Sequence, residues 1–268
     1  MATVIGSALV LSQQPPSLSP NNGLLCWQNL VTPLDISTTS ETPENPKENM
    51  ANPSTSFAWQ ATSTADQNID IAVGGRIIDF IGIAGHNLQQ EAEIRVQYIV
   101  DGVVFTVFDF GEFEIRSQAI LFIVNEAAPD TVRLTVRGNN EPPRIAVLSV
   151  GQGTRMERPI YVGHTPITMG NQLTTIGSVS ESGQYLGEII RREKFTTNVQ
   201  LQNITPDFMR EQLLPFFQQR PRRPAFWAWR PQKYEAEVGY SWLVGNPRPV
   251  NQRGNGMMQV SFDLDAIV

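Results

Sequence analysis

Apolar and polar residues alternate with a period of two through much of the chain, the pattern of strands that bury one face. Ile69, Ile71 and Val73 alternate with Asp70 and Ala72, and Gly74-Gly75 then turns the chain. Ile77–Ile83 is almost continuously apolar, which predicts a strand covered on both faces. Ile94, Val96, Tyr98 and Val100 alternate with Glu93, Arg95 and Gln97. Asp101-Gly102 follows, a dipeptide that tolerates the positive φ of a type I′ turn, and Val103–Phe110 completes the predicted hairpin. Ala119–Val124, Val132–Val136 and Ile145–Val150 supply three more strands, and Leu24–Leu30, with Cys26 and Trp27, supplies an earlier one. Spacing of this kind without helical periodicity predicts a β-sandwich.

The second half contains one helical signal. Thr205 can cap a helix, Pro206 suits its first turn, and Asp207 favours its positive end. Phe208, Met209, Gln212, Leu213, Phe216 and Phe217 form a helical stripe, with Pro215 expected to distort or end it. Thr197–Ile204 reads as a strand before the helix, and Phe226–Trp229 as an aromatic strand after it. Val260, Phe262 and Leu264 mark a closing strand. Breaker-rich residues 1–22 read as an N-terminal arm. The glycines of Gly151-Gln152-Gly153 set the expected boundary between a β-sandwich over 23–152 and a β domain over 153–268, with its helix near 205–218.

Charge supports this division. Residues 1–152 carry 7 basic and 16 acidic side chains, a balance of −9, and residues 153–268 carry 13 and 10, a balance of +3. An acidic first half argues against broad contact with nucleic-acid phosphates there. Only 17% of residues are charged, against about 25% in an average soluble domain, which suits a turn-rich protein or one that buries surface against its own copies. One cysteine, Cys26, excludes an internal disulfide and a cysteine-rich zinc site. No apolar run approaches the roughly 20 residues a membrane-spanning helix needs. The start of the chain lacks the basic region of a signal peptide.

Candidate chemistry is sparse. His86 and His164 are the only histidines, without zinc spacing or a nucleophile elbow, and each is expected to stabilise a loop or turn. Glu112 and Glu114 flank Phe113 and read as solvated strand charges, not a facing glycosidase pair. Neither a catalytic set, a metal site nor a cofactor is expected. Arg220-Pro221-Arg222-Arg223-Pro224, with Arg230 beyond it, is the sharpest basic cluster, and Phe226-Trp227-Ala228-Trp229 offers aromatic rings. Alternation puts Phe226 and Ala228 on one face and Trp227 on the other, so a core strand after a charged loop is expected, not a stacking platform for nucleic acid.

Two stretches resemble known proteins. Thr38–Glu41, Asn52-Pro53-Ser54-Thr55, Trp59–Ser63 and Ile78–Leu88 resemble the opening of a discoidin-like jelly roll found in tailed-bacteriophage tail proteins. Ile190-Arg191-Arg192, Thr205–Arg210, Phe226–Pro231, Glu237–Tyr240 and Asn251–Met258 resemble the C-terminal region of the same group, with its tail-tube-like, ring-forming fold. The resemblance implies a mainly β chain, a discoidin-like sandwich followed by a tail-tube-like domain with one helix. Its implied role is a structural, non-enzymatic part of a virion tail tip or baseplate, assembled in the bacterial cytoplasm. It would form a ring with its own copies and contact tube, hub and fibre proteins, with no membrane insertion and no nucleic acid. Arg191, Arg192, Arg220, Arg222, Arg223 and Arg230 are the expected subunit-interface residues. The alternative is a carbohydrate-binding adhesin contacting a host-surface glycan through the 85–91 and 138–143 loops, with His86, Asn87, Gln89 and Asn139 as its residues.

Overall fold

The structure is a computed structural model that describes residues 3–6, as backbone, and 22–268 apart from 112–114, 116, 117, 161, 162, 220, 253 and 255. It is mainly β. In chain order the strands are β1 (Thr3–Gly6), β2 (Leu24–Asn29), β3 (Ile36–Thr38), β4 (Trp59–Gln60), β5 (Gln67–Ala72), β6 (Ile78–His86), β7 (Glu93–Val100), β8 (Val103–Phe108) and β9 (Ala119–Ala127). They continue with β10 (Thr131–Arg137), β11 (Arg144–Arg155), β12 (Asn171–Val179), β13 (Tyr185–Ile204), β14 (Ala225–Ala228), β15 (Val238–Val244), β16 (Val250–Asn251) and β17 (Met258–Ile267). One sheet runs β3-β5-β10-β7-β8. The other runs β1-β9-β6-β11-β2-β14-β15-β17-β13-β12, with β4 on β11 and β16 on β17.

The first core lies between the small sheet and the β9-β6-β11 part of the large one. Ile69, Ile71, Ile94, Val96, Val132 and Leu134 face Ile81, Ile83, Phe122 and Leu148 across it, with Trp59 fully buried at its edge. The predicted hairpin joins β7 to β8, and Asp101 and Gly102 both have positive φ. β6 is apolar on both faces because its alternate residues Phe80 and Ala84 enter a second core, with Leu24, Cys26, Phe226, Ala228 and Tyr240. The third core packs Leu25, Trp227, Val199, Leu201 and Phe262 beneath a helical segment, α1 (Pro206–Phe208, Met209–Leu213 and Leu214–Gln218). Phe226 and Trp227 thus point into different cores, as their alternation predicts.

α1 begins as expected, with Thr205 Oγ1 accepting from the Phe208 N–H at 3.3 Å. Pro215 distorts the helix without ending it. The middle segment widens to π-type bonding, with the Leu214 N–H reaching the Met209 carbonyl, and the helix then runs on to Gln218.

Two sequence expectations meet a different structure. Gly151-Gln152-Gly153 does not turn the chain but lies inside β11, which pairs with β6 through residues 145–151 and with β2 through 151–155. These glycines allow close packing: a Cβ on Gly151 would stand 1.8 Å from the Gln28 carbonyl oxygen, and one on Gly153 2.8 Å from a Leu24 methyl. Of the expected arm, residues 3–6 form β1, parallel to β9 at the sheet's end, while residues 1, 2 and 7–21 lie outside the described residues.

Where β6 meets β11, Asp79 Oδ1 accepts from the Gly153 N–H at 2.6 Å. Burial pushes the Asp79 carboxyl up to about 6 despite that bond and the field of Arg155. The fold therefore favours the protonated acid, and this contribution is complete below about pH 4 and lost as pH rises through about 6. Asp79→Asn is expected to flatten the fall in unfolding free energy between pH 4 and 7, gaining about 2 kcal/mol at pH 7 relative to wild type. Urea melts across that range check it, and parallel curves for the two proteins would contradict it.

Candidate binding site

An open cleft lies where β2 and α1 meet. Its volume is 390 Å³, and Trp27, Gln28, Asn29, Leu30, Gln219, Pro221 and Arg223 line it. A narrower hollow that shares Trp27, Asn29 and Arg223 continues from it towards Pro53 and Tyr240. β2 supplies one wall because it is shared between the halves, pairing with β11 on one side and β14 on the other. Gln219, Pro221 and Arg223, between α1 and β14, supply the opposite wall.

Trp27 is held in place and half-buried. Its Nε1–H donates to Thr154 Oγ1 at 3.2 Å, and its ring leans on Phe216 at 6.1 Å between centroids. Asn29 is structural: Oδ1 accepts from the Val31 and Val150 N–H groups, and Nδ2 donates to the Leu148 carbonyl. Gln28 and the Arg223 guanidinium are exposed at the rim. The Tyr240 hydroxyl, at the base of the narrow hollow, donates to the Pro53 carbonyl at 2.8 Å, fixing the 52–57 loop over the sheet. The cleft thus offers an indole, the exposed Gln28 amide and one cation, and none of its lining residues is a carboxylate. Such a lining can hold a ring by its apolar face and bond its hydroxyls. It lacks the pair of carboxyls that glycoside hydrolysis requires.

The loops expected to hold a glycan are fastened to each other. Asn87 Nδ2 donates to the Pro142 carbonyl, and its Oδ1 accepts from the Arg144 N–H. Asn139 is only 4% exposed; its Oδ1 accepts from the Gln89 N–H, and its Nδ2 donates to the Glu141 carbonyl. Gln89 Oε1 accepts from Asn140, and buried His86 accepts the Leu88 N–H on Nδ1. His86, Asn87, Gln89 and Asn139 therefore come together, but the polar atoms named here form bonds within and between the two loops.

The expected interface arginines lie on separate elements. Arg191 and Arg192 are exposed on β13, Arg222 bonds Asn246, Arg223 lines the cleft, and Arg230 sits over the Trp229 ring at 5.0 Å. Arg220, like Glu112 and Glu114, falls outside the described residues. Trp229 is enclosed, with Tyr234 stacked on it at 5.5 Å and His164 packed against it at 4.8 Å. The Trp229 ring is thus already engaged by neighbouring side chains. His164 Nδ1 bonds the Asn198 carbonyl at 3.0 Å, and burial holds its pKa below the usual imidazole range.

A second groove, of 520 Å³, runs along β13 and β17. Lys194 pairs there with Asp265 at 2.9 Å, and Asp263 accepts from the neutral Asn198 amide at 2.6 Å. Among the described residues no group of three or more His, Cys, Asp or Glu side chains is arranged to hold a metal ion, and no helix is long and apolar enough to cross a membrane.

No protein-family model matches this chain, and no curated protein matches it. Several solved structures are similar to part of it. Chitosan-binding module 1 from a chitosanase/glucanase of Paenibacillus sp. IK-5 is 12% identical, with a TM-score of 0.41, over 46% of this chain and 98% of the module. The family 32 carbohydrate-binding module from Clostridium perfringens NanJ, solved in complex with galactose, is 16% identical, with a TM-score of 0.40, over 49% of this chain and 99% of that one. A Ruminococcus gnavus GH29 fucosidase in complex with fucose is 18% identical, with a TM-score of 0.40, over 47% of this chain and 27% of the enzyme.

Proposed function

We propose that this chain is a non-catalytic binding protein and that its ligand is a saccharide held in the Trp27 cleft. One observation carries the reading: an indole held by Thr154 lines an open cleft beside the exposed Gln28 amide and the Arg223 guanidinium, with no carboxylate among the lining residues. A pyranose ring has an apolar C–H face that stacks on such a wall, and hydroxyls that take up amide and guanidinium donors. The site differs from the 85–91 and 138–143 loops, where the Asn87 and Asn139 amides are bonded to loop backbone, in having an aromatic ring in its lining.

The test is a glycan array of neutral and acidic saccharides probed with the full chain, followed by calorimetry on the best ligand. Arg223→Ala is expected to weaken that ligand about tenfold, the value of one charge-assisted hydrogen bond. Arg223 is exposed, so folding is expected to be unchanged. An empty array, or an Arg223→Ala affinity equal to wild type, would refute the assignment.

A second reading is assembly into a larger particle, for which a phage tail tip is the setting the sequence resemblance implies. It is favoured by the bare apolar β12–β13 hairpin. β17 pairs only with residues 195–204 of β13, so residues 185–194 and β12 run on as a two-stranded ribbon. Leu173, Ile176, Tyr185, Leu186, Ile189 and Ile190 are all at least half exposed on it. A large exposed apolar patch of this kind marks a protein contact.

A further inference from the structure

The assembly reading leaves the partner unspecified, and the two sheets contain features that specify it. β12 ends the large sheet, so among the described residues one side of its backbone lacks a strand partner. Sheet edges normally carry charges, prolines or bulges that block further pairing. β12, Asn-Gln-Leu-Thr-Thr-Ile-Gly-Ser-Val, has no charged residue and no proline. The two register shifts in its ladder place extra residues on β13.

β8 ends the small sheet and has the same character. Its sequence, Val-Val-Phe-Thr-Val-Phe, has no charge and no proline, and Val103, Val104 and Phe105 are about half exposed. The surroundings of the two edges differ in charge. Asp101, Asp109 and Asp130 surround β8, in the half with a balance of −9. Arg191 and Arg192 stand exposed on the ribbon beside β12, with Glu188 and Glu193 on the same strand, in the half with a balance of +3. A ribbon beside β8 brings Arg191 and Arg192 near exposed Asp101 and Asp130, while Asp109 is already paired with Arg95 at 2.7 Å.

We propose that β12 of one molecule adds as a further strand to β8 of a second copy, so that copies join head to tail. The proposal rests on the assembly reading and names its partner. Backbone bonds extend the small sheet of the receiving copy, the apolar faces of the two edges cover one another, and the arginines lie beside the aspartates. An interface between two different patches lets each copy both give and receive, so growth continues until a ring closes or remains open as a filament.

Ile176→Lys and Val104→Lys each place a charge on one edge at a position already 57% and 47% exposed, so the fold tolerates them. Sedimentation velocity is measured on the full-length wild type, each variant, and their equimolar mixture. Wild type is expected to form concentration-dependent species beyond a dimer, and each variant alone to remain monomeric. The mixture has one intact β12 and one intact β8 that can meet, so it is expected to stop at a 1:1 dimer. A mixture that stays monomeric, or variants that associate like wild type, would overturn the strand pairing. If only Ile176→Lys abolished association, β12 would pair with itself, which overturns the head-to-tail proposal and leaves the assembly reading standing. A wild type that is monomeric at every concentration would overturn both.

Discussion

Replacing Phe226 with alanine is expected to destabilise the protein by about 3–5 kcal/mol, the range for deleting a fully buried aromatic ring. Phe226 is completely buried on β14, and its ring lies on Gly82 of β6. A Cβ on Gly82 would stand 2.3 Å from the ring. The contact joins a strand after the helix to the middle of the sandwich sheet, so its loss weakens the union of the two halves. Gly82→Val is expected to cost about 1–3 kcal/mol by overpacking the same contact. In the double variant the valine enters the space the ring leaves, so its destabilisation is expected to fall short of the sum of the single effects. Denaturant melts of the four proteins measure the coupling, and strict additivity would show that ring and glycine do not share a contact.

Trp27→Ala is expected to weaken saccharide binding at least about thirtyfold, since a central aromatic anchor contributes about 2 kcal/mol or more. The substitution also removes the contact with Phe216 and the bond to Thr154, so a modest loss of stability accompanies it. Asn87→Ala provides the contrast. It cuts two bonds between the 85–91 and 138–144 segments and leaves the cleft intact, so affinity is expected to stay at the wild-type value. Calorimetry with one ligand on all three proteins decides between the cleft and the loops, and the reverse pattern would move the site to the loops.

Much of this architecture is legible where a strand buries one face. The alternations at Ile69–Val73 and Ile94–Tyr98 became β5 and β7, which flank β10 in the small sheet. The split of Phe226 from Trp227 became a split between two cores. Gly151–Gly153 misleads because glycine serves turns and close approach alike, and only the neighbouring Gln28 carbonyl and Leu24 side chain distinguish the uses. His86, Asn87 and Asn139 have the side chains of a sugar site, and the same donors and acceptors can fasten loops; sequence alone does not say which atoms face which.

The cleft was less legible still. Trp27 and Arg223 come from opposite ends of the chain and share no local spacing, so only the pairing of β2 with β14 brings them together. The single available signal was a tryptophan next to polar Gln28 and Asn29, in a strand otherwise apolar. The second half reads as including a long β-hairpin, but alternation does not place it at β12–β13, because exposed Leu173, Ile176, Leu186, Ile189 and Ile190 follow no burial pattern.

The five tryptophans give five indole N–H signals in a nitrogen-proton NMR spectrum, and the Trp27 signal is the one absent from Trp27→Phe. On titration with the best saccharide from the array, the Trp27 signal is predicted to shift progressively to saturation, while those of buried Trp59 and Trp227 stay in place. A saccharide that binds while the Trp27 signal remains fixed would contradict the assignment of the cleft.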